Sequence, residues 1–284
     1  MKFKKIAIIG VGLIGGSIGM AIRKNKLASE VMGIGRSPER LKMALKLKAI
    51  DTWTMDIKEG VRDADIFVIA TPVKQIPIIF KRALPFLKKG CIVTDTGSTK
   101  GEIVKEIEKI LPKNINFIGA HPIAGSELQS VRNAKKELFK DAFCVLTPIQ
   151  KTNKSILGII EHIWRKCGAE VIILSPDEHD KILSMTSHLP HMTAVLLMWV
   201  FSGFTASGKK LKSFMGGGFR DTTRIAASSA EIWTDIFDTN RKEILKRLAE
   251  FKVKITLMQK VIRRRDLNEL NRILRYAKEE RDSL

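Results

Sequence analysis

The chain has 284 residues, of which 44% are hydrophobic and 28% are charged, a balance that excludes a disordered or collagen-like chain. The length predicts about two domains. The 50 Lys and Arg residues against 30 Asp and Glu residues give a net charge of +20, spread along the chain. We interpret this charge as solvated surface, with a nucleic-acid-binding protein as the alternative. Three cysteines without CxxC spacing argue against a disulfide framework or structural zinc and favour a reducing cytoplasm.

The first part of the chain alternates short apolar runs with helical patterns. The runs at residues 6–10, 31–34, 65–70, 91–95, 115–120, 143–146 and 170–174 are typical of buried parallel strands. Ser37 and Pro38 indicate the N-cap and first residue of the helix after the second run. Strands separated by helices predict an α/β fold, a doubly wound parallel sheet of the Rossmann type, over residues 1–174.

The pattern changes at Ser175, which forms a predicted capping box with Glu178. Beyond it the periodicity is helical, so residues 175–284 are predicted to form a small all-helical domain. Its apolar stretch, residues 192–204, is shorter than the ~20 residues that cross a bilayer and reads as a buried helix that needs a partner. We therefore expect a homodimer built on this domain and no membrane partner. The basic N-terminus leads into a strand, not a signal peptide.

A glycine loop follows the first strand and opens a helix. The residues Gly10, Gly12 and Gly15 fit G-x-G-x-x-G in the β-α-β context that confirms this pattern. Gly10 permits the tight turn, Gly12 lets the backbone approach a pyrophosphate, and Gly15 allows close helix–strand packing. With Leu13 and Ile14, they are predicted to bind a dinucleotide at the helix N-terminus.

The end of the second strand departs from the usual pattern, because no Asp or Glu is present to bind a ribose hydroxyl. Arg36 and Ser37 stand there instead and suit a 2′-phosphate, which slightly favours NADP over NAD. The alternative is that Arg36 stacks on adenine and NAD is used. Thr71, directly after the third long apolar run, is also assigned to the cofactor site.

Four further segments carry concentrated polar chemistry. They are D-T-G-S-T-K at 95–100, H-P-I-A-G-S-E at 121–127, S-H-L-P-H at 187–191 and G-G-G-F-R-D-T-T-R-I-A at 216–226. With the glycine loop, in this order over nearly the whole chain, they resemble the prephenate dehydrogenase family, which includes arogenate and cyclohexadienyl dehydrogenases. The resemblance implies a Rossmann domain, a helical dimerisation domain and a role in tyrosine biosynthesis.

The resemblance also implies the reaction, the oxidative decarboxylation of prephenate to 4-hydroxyphenylpyruvate with hydride transfer to NAD(P). His121 is expected just past a strand end, where it accepts the proton of the ring hydroxyl; its ordinary pKa near 6.5 suits a base. Ser98 is expected to hydrogen-bond the same hydroxyl or His121. The alternatives are a structural histidine before proline and a serine that only caps a helix near Thr99.

Prephenate carries two carboxylates, so the family resemblance implies polar and cationic substrate-binding residues. Arg224 is the expected bidentate carboxylate ligand, and Asp221 is expected to hold an arginine in place. The full set is Ser126, Glu127, His188, His191, Arg220, Asp221 and Arg224. Ser126 and Glu127 have helix capping as an alternative, and the His188–His191 pair has metal ligation, although we expect no metal. His162 and His179 are interpreted as structural.

Three alternative functions remain open at this stage. An arogenate dehydrogenase would use the same ring chemistry on a substrate with an amino group in place of the keto group. A β-hydroxyacid dehydrogenase usually relies on a catalytic lysine in its helical domain, which the paired histidines argue against. A non-catalytic NADP- or nucleic-acid-binding protein is supported by the net charge alone.

Overall fold

The structure is a computed structural model that describes residues 2–125, 130–204 and 214–283. Ser126 and Glu127, predicted to contact substrate, lie outside the described residues. The chain divides into two compact units, Met1–Asn240 and Arg241–Leu284.

One sheet of eight strands organises the first unit, in the order β3-β2-β1-β4-β5-β6-β7-β8. The order reverses between β1 and β4, which is the switch point of a doubly wound sheet. The strands are β1 (Phe3–Ile9), β2 (Ala28–Ile34), β3 (Thr52–Thr54), β4 (Ile66–Ile69), β5 (Ile92–Asp95), β6 (Asn116–Pro122), β7 (Phe143–Thr147) and β8 (Glu170–Ile173).

The predicted α/β sheet is confirmed, with one difference in strand direction. Strands β1 to β6 are parallel, but β7 pairs antiparallel with β6, and β8 runs parallel to β7. Among the described residues between β6 and β7 there is only a short 3₁₀ turn, Val131–Asn133, and no crossover helix, so the chain reverses. The short β3 has too few residues to give a periodic signal and was not predicted.

Helices cover both faces of this sheet, and two of the predicted caps are present. Ser37 accepts a hydrogen bond from the Arg40 N–H, and Ser175 with Glu178 forms a complete capping box. The helices of the first unit are α1 (Leu13–Lys24), α2 (Pro38–Lys46), α3 (Ile57–Val61), α4 (Gln75–Ala83), α5 (Gly101–Glu108), α6 (Lys154–Lys166), α7 (Pro176–Leu183), α8 (Leu189–Gly203), α9 (Gly217–Thr223) and α10 (Ala230–Thr239).

The core consists of two clusters of buried side chains, because successive strand residues point to opposite faces. Ile6 and Ile8 belong to one cluster, whereas Ala7 belongs to the other. Ile236 of α10 is buried in the second cluster with side chains of the sheet. The first compact unit therefore extends to Asn240, and the domain boundary near residue 174 stays a prediction.

Helix α8 corresponds to the predicted apolar helix but is buried only in its first half. Leu189 and Ala194 are buried, whereas Trp199 and Val200 are 73% and 72% exposed. An exposed tryptophan beside an exposed valine is the kind of surface that a protein partner covers.

The second unit contains two helices, α11 (Arg241–Arg263) and α12 (Leu267–Asp282). Arg265, with a positive φ of 51°, lies in the turn between them, and Asp266 caps α12 by accepting the Glu269 N–H. None of the helices that the structure describes is long and apolar enough to span a membrane.

Candidate active site

A cleft opens at the carboxyl ends of the strands, beside the switch point between β1 and β4. It encloses about 930 Å³, including space open to solvent. Loops after four strands line it, together with one residue of α10: Gly10, Gly12, Leu13, Ile14, Gly15, Ala70, Thr71, Pro72, Val73, Thr96, Gly97, Ser98, Ala124, Gly125 and Ile232. This is the place where open α/β sheets bind ligands, and it contains the predicted glycine loop, Thr71 and Ser98. Ile232 was not predicted.

The glycine loop is packed so tightly that side chains are excluded at two positions. Gly10 has a φ of +89°, and a Cβ there would lie 2.2 Å from the carbonyl oxygen of Ala70. A Cβ at Gly15 would lie 2.3 Å from the Gly10 carbonyl oxygen. The loop is thus held against the end of β4, and helix α1 starts directly at the cleft.

The residues of this cleft fit a dinucleotide. Helix α1 has no side-chain cap and no acidic residue in its first turn, so its N-terminal amides are available to an anion. The Thr71 hydroxyl is buried and has no hydrogen-bond partner in the described structure. A buried hydroxyl without a partner is costly, and a polar group of a bound cofactor would satisfy it.

The Arg36–Ser37 pair lies at the start of α2. Arg36 is exposed, and Ser37 donates a hydrogen bond of 2.7 Å from its hydroxyl to the Glu39 carboxylate. That hydrogen bond lowers the pKa of Glu39, so a negative charge lies beside the predicted 2′-phosphate position. The preference for NADP therefore has a feature in its favour, Arg36, and one against it, Glu39.

A buried ion pair shapes the loop that carries Ser98. Lys100 and Asp95 are both fully buried and paired, and the Lys100 ammonium also donates to the Ala120 carbonyl at 2.9 Å. Asp95 in turn accepts the Gly97 N–H at 2.8 Å and the Ala120 N–H at 3.1 Å. These bonds tie the end of β5 to β6. Ser98 lines the cleft and does not cap α5, because that helix begins at Gly101.

His121 lies inside β6, not past its end as expected, because the ladder to β7 continues to Pro122. Its side chain is buried, and it is not among the residues that line the open cleft, although Ala124 and Gly125 on the same segment are. Burial lowers its pKa well below the ordinary range, and the nearby Lys100 charge acts in the same direction. The imidazole is consequently neutral at pH 7.

His179, which sequence reasoning treated as structural, contacts His121 directly. The His121 Nδ1 and His179 Nε2 atoms are 2.7 Å apart, and the His179 Nδ1 lies 2.8 Å from Asp180 Oδ1. Asp180 also accepts the N–H groups of Lys100 and Gly101, both at 2.8 Å, at the start of α5. A His-Asp pair after a capping box was the only local signal, and it does not reveal a partner 58 residues away.

The predicted substrate residues His188 and His191 are both buried but have different neighbours. His188 Nδ1 lies 3.1 Å from the amide nitrogen of Asn240, which also donates to the Asp180 carbonyl at 2.8 Å. His191 stacks on Trp233, with ring centroids 3.4 Å apart, and its Nδ1 has no hydrogen-bond partner in the described structure. Burial lowers the pKa of each histidine to about 4. Asn240 and Trp233 were not predicted.

The three charged residues predicted from the glycine-rich segment lie on or beside α9. Arg220 and Asp221 are within α9, and Arg224 directly follows it; all three side chains are exposed. The turn that begins at Arg224 packs against α8, the helix of His191. The described residues therefore bring the histidines together in the interior and leave the arginines on the surface.

The described residues contain no group of three or more His, Cys, Asp or Glu side chains arranged to hold a metal ion. His188 instead contacts an asparagine, and His191 contacts an aromatic ring.

A glycine loop at the switch point of the sheet, followed by a histidine-bearing helical region, defines a nicotinamide-dinucleotide-dependent dehydrogenase. Two family models match: the prephenate dehydrogenase nucleotide-binding domain over residues 18–173 and the prephenate dehydrogenase dimerization domain over residues 175–276. The chain belongs to the prephenate dehydrogenase family. Its function is accordingly that of a prephenate dehydrogenase, an oxidoreductase that uses NAD(P).

Individual relatives agree with this assignment. Prephenate dehydrogenase of Bacillus subtilis is 38% identical over 98% of this chain and 76% of its own length. The crystal structure of prephenate dehydrogenase from A. aeolicus in complex with hydroxyphenyl propionate and NAD+ has a TM-score of 0.93 and 32% identity, covering 99% of this chain and 98% of that one. The Synechocystis arogenate dehydrogenase structure has a TM-score of 0.84 and 28% identity, covering 98% and 99%.

Proposed function

We propose that His121 is the general base that takes the proton of the prephenate ring hydroxyl, with Ser98 as a hydrogen-bond partner of that hydroxyl. The observation that supports this role most strongly is the 2.7 Å contact that holds the neutral His121 ring beside the segment lining the cleft. A base must be unprotonated before reaction, and burial keeps His121 in that form.

In this reaction His121 is the only protein group that must exchange a proton with the substrate. The hydroxyl proton goes to His121 Nε2 as the C–O bond becomes the carbonyl of a dienone. The hydrogen on the hydroxyl-bearing ring carbon leaves with its bonding electrons as hydride, which the nicotinamide would accept when the cofactor is bound. The carboxylate on the opposite ring carbon leaves as carbon dioxide; its bonding pair completes the aromatic ring, and the carbonyl π pair moves onto the oxygen as a phenolate. The phenolate takes the proton back from His121, which gives the hydroxyl of 4-hydroxyphenylpyruvate and the neutral imidazole. Aromatisation supplies the driving force, so a weak base suffices.

We propose that the two substrate carboxylates are bound by Arg224 and Arg220, with His188 and His191 as polar contacts. Asp221 would orient an arginine, and Ser126 and Glu127 would line the pocket after His121. A dianion near His121 favours the imidazolium, so substrate binding would raise the affinity of this base for its proton at the moment it is needed. Helix α9 and the turn at Arg224 support this proposal because they pack against the helix that carries His191.

For the cofactor, we propose that Gly10, Gly12, Leu13, Ile14, Gly15 and Thr71 bind the dinucleotide and that Arg36 and Ser37 slightly favour NADP. The exposed guanidinium of Arg36 supports this preference. The ionised Glu39 opposes the preference for NADP, because its carboxylate accepts the hydrogen of the Ser37 hydroxyl. Replacing Glu39 by Gln would accordingly increase the NADP-to-NAD preference.

Arogenate is the second candidate substrate. The ring chemistry is the same for both compounds, and the Synechocystis neighbour is an arogenate dehydrogenase. An amino group in place of the keto group changes only the charge at the side-chain end of the substrate, far from the reacting carbon.

We also propose a homodimer through the helical region and a cytoplasmic location. The exposed Trp199 and Val200 on α8 and the match to a dimerization domain support the dimer. The three cysteines are buried as free thiols, which suits a reducing compartment. Light scattering of the wild type and of Trp199→Glu tests the dimer: the variant should be monomeric.

The experiment that tests this function uses the purified full chain with prephenate or arogenate and with NAD or NADP. The absorbance of the reduced nicotinamide gives kcat/KM for each of the four combinations. Turnover of prephenate is expected, and a higher kcat/KM for arogenate would favour the second candidate substrate. No turnover of either compound, together with salt-dependent DNA binding, would support the nucleic-acid-binding alternative.

A further inference from the structure

Asp180 is an acceptor on both of its carboxylate oxygens. Its Oδ1 faces the Lys100 N–H and its Oδ2 faces the Gly101 N–H, each at 2.8 Å. These two N–H donors stabilise the ionised carboxylate, which has no hydrogen to donate. The His179 Nδ1, which lies 2.8 Å from Oδ1, must therefore carry a hydrogen and donate it.

This donation determines the protonation pattern of the next ring. Burial lowers the pKa of His179, so the ring is neutral, and with its hydrogen on Nδ1 its Nε2 can only accept. The His121 Nδ1, 2.7 Å away, is then the donor. The hydrogen of neutral His121 is thus on Nδ1, and its Nε2 is unprotonated.

Asn240 imposes the opposite pattern on His188. The Asn240 amide group contacts the carbonyl oxygen of Asp180 at 2.8 Å, and because a carbonyl only accepts, the contacting atom must be the amide nitrogen. The same nitrogen lies 3.1 Å from His188 Nδ1. An amide nitrogen only donates, so His188 Nδ1 accepts, and the hydrogen of neutral His188 is on Nε2.

We propose that His179, Asp180 and Asn240 are positioning residues that hold His121 and His188 in opposite tautomers. His121 presents an unprotonated Nε2 that takes the hydroxyl proton, and His188 presents an Nε2–H that donates to an anionic oxygen of the substrate. Asp180 serves both, since its carboxylate orients His179 and its carbonyl orients Asn240. The two roles toward substrate rest on the proposed function, whereas the tautomers themselves do not.

The direct test of the tautomers is nuclear magnetic resonance of the full chain labelled with ¹⁵N in its five histidines. Long-range ¹H–¹⁵N correlations at pH 7.5 distinguish Nδ1–H from Nε2–H rings, and single His→Gln variants assign the signals. We expect Nδ1–H for His121 and His179 and Nε2–H for His188. The same tautomer on His121 and His188, or a doubly protonated ring on either one, would overturn the proposal whatever the substrate is.

Kinetics of variants then test whether the tautomers matter. His179→Leu should lower kcat about 10²-fold or more, as loss of the orienting partner does in other enzymes with a histidine base. His179→Gln should recover part of that loss, because its amide oxygen can accept the His121 Nδ1–H. Asp177→Asn, an exposed position on the same helix, is the matched control. Equal activity of the Leu and Gln variants would overturn the positioning role.

Asn240→Leu separates the two halves of the network. This substitution removes the donor to His188 but leaves the hydrogen bonds that connect Asp180, His179 and His121 in place. We expect KM for prephenate to rise about tenfold with kcat nearly unchanged, and the His188 signal to lose its pure Nε2–H pattern. A lowered kcat with an unchanged KM, or an unchanged His188 signal, would contradict the assignment. Thermal unfolding of each variant reports any loss of folding separately.

Discussion

The dinucleotide cleft and the histidine network lie at the same end of the sheet but are built from different parts of the chain. The cleft is built around a loop in which Gly10, Gly12 and Gly15 have no side chains. The network is made of side chains from β6, α7, the end of α10 and the residue that precedes α8, joined by hydrogen bonds of 2.7–3.1 Å. The glycine loop consists of residues that are neighbours along the chain, whereas the histidine network depends on side chains that distant segments bring together.

The largest expected effect concerns the network. His121→Asn should lower kcat about 10²- to 10⁴-fold, because the variant lacks the proposed acceptor of the hydroxyl proton. Its affinity for the cofactor, measured by fluorescence titration, should stay within about twofold, since the cleft is built independently. His162→Asn is the control. Near-normal turnover by His121→Asn would show that this residue is not the base and that the network does not carry out the proton transfer.

The next effect concerns the exposed arginines. Arg224→Ala should raise KM for prephenate about 10- to 100-fold, the value of a lost charge-assisted hydrogen bond, and leave NAD(P) binding intact. Steady-state kinetics with Arg264→Ala as a surface control measure this. An unchanged KM would mean that groups other than Arg224 bind the carboxylates.

Acidification should weaken the network more than the cleft. Burial lowers the pKa of His188 to about 4 from an ordinary value of 6.5, so the unfolded chain binds the proton first as pH falls. The contribution of each such histidine to the free energy of unfolding is therefore fully present above pH 6.5. Below that pH it falls by about 1.4 kcal/mol per pH unit, which amounts to about 2 kcal/mol at pH 5. Urea unfolding at pH 7.5 and 5 measures the loss. His188→Gln should flatten the dependence; an identical slope in this variant would contradict the assignment.

The smallest expected effect sharpens the description of the cleft. Arg36→Ala should weaken the binding of NADP about tenfold and the binding of NAD less than about twofold, because only the 2′-phosphate interacts with the guanidinium. Arg40→Ala, also exposed and four residues along, controls for the loss of a positive charge. Equal losses for both dinucleotides would show that Arg36 stacks on adenine instead, the alternative that the sequence left open.

Local patterns predicted much of the fold because their physical causes are local. Helix α1 follows the glycine loop as predicted, and the caps at Ser37 and Ser175 are present, since capping depends on neighbours within three residues. The reversal at β7 and the short β3 were missed, because strand direction is set by the connection and three residues have no period.

The sequence by itself determined the glycine loop, the alternation of strands and helices, and the family, because each is carried by residues that are neighbours along the chain. Only the tertiary structure decided that His179 contacts His121, that Asp180 joins α7 to α5, and that Asn240 contacts His188. These contacts span 52 to 80 residues, and a hydrogen bond between side chains leaves no periodic trace in either segment. The protonation pattern of the histidines is therefore a property of the folded chain.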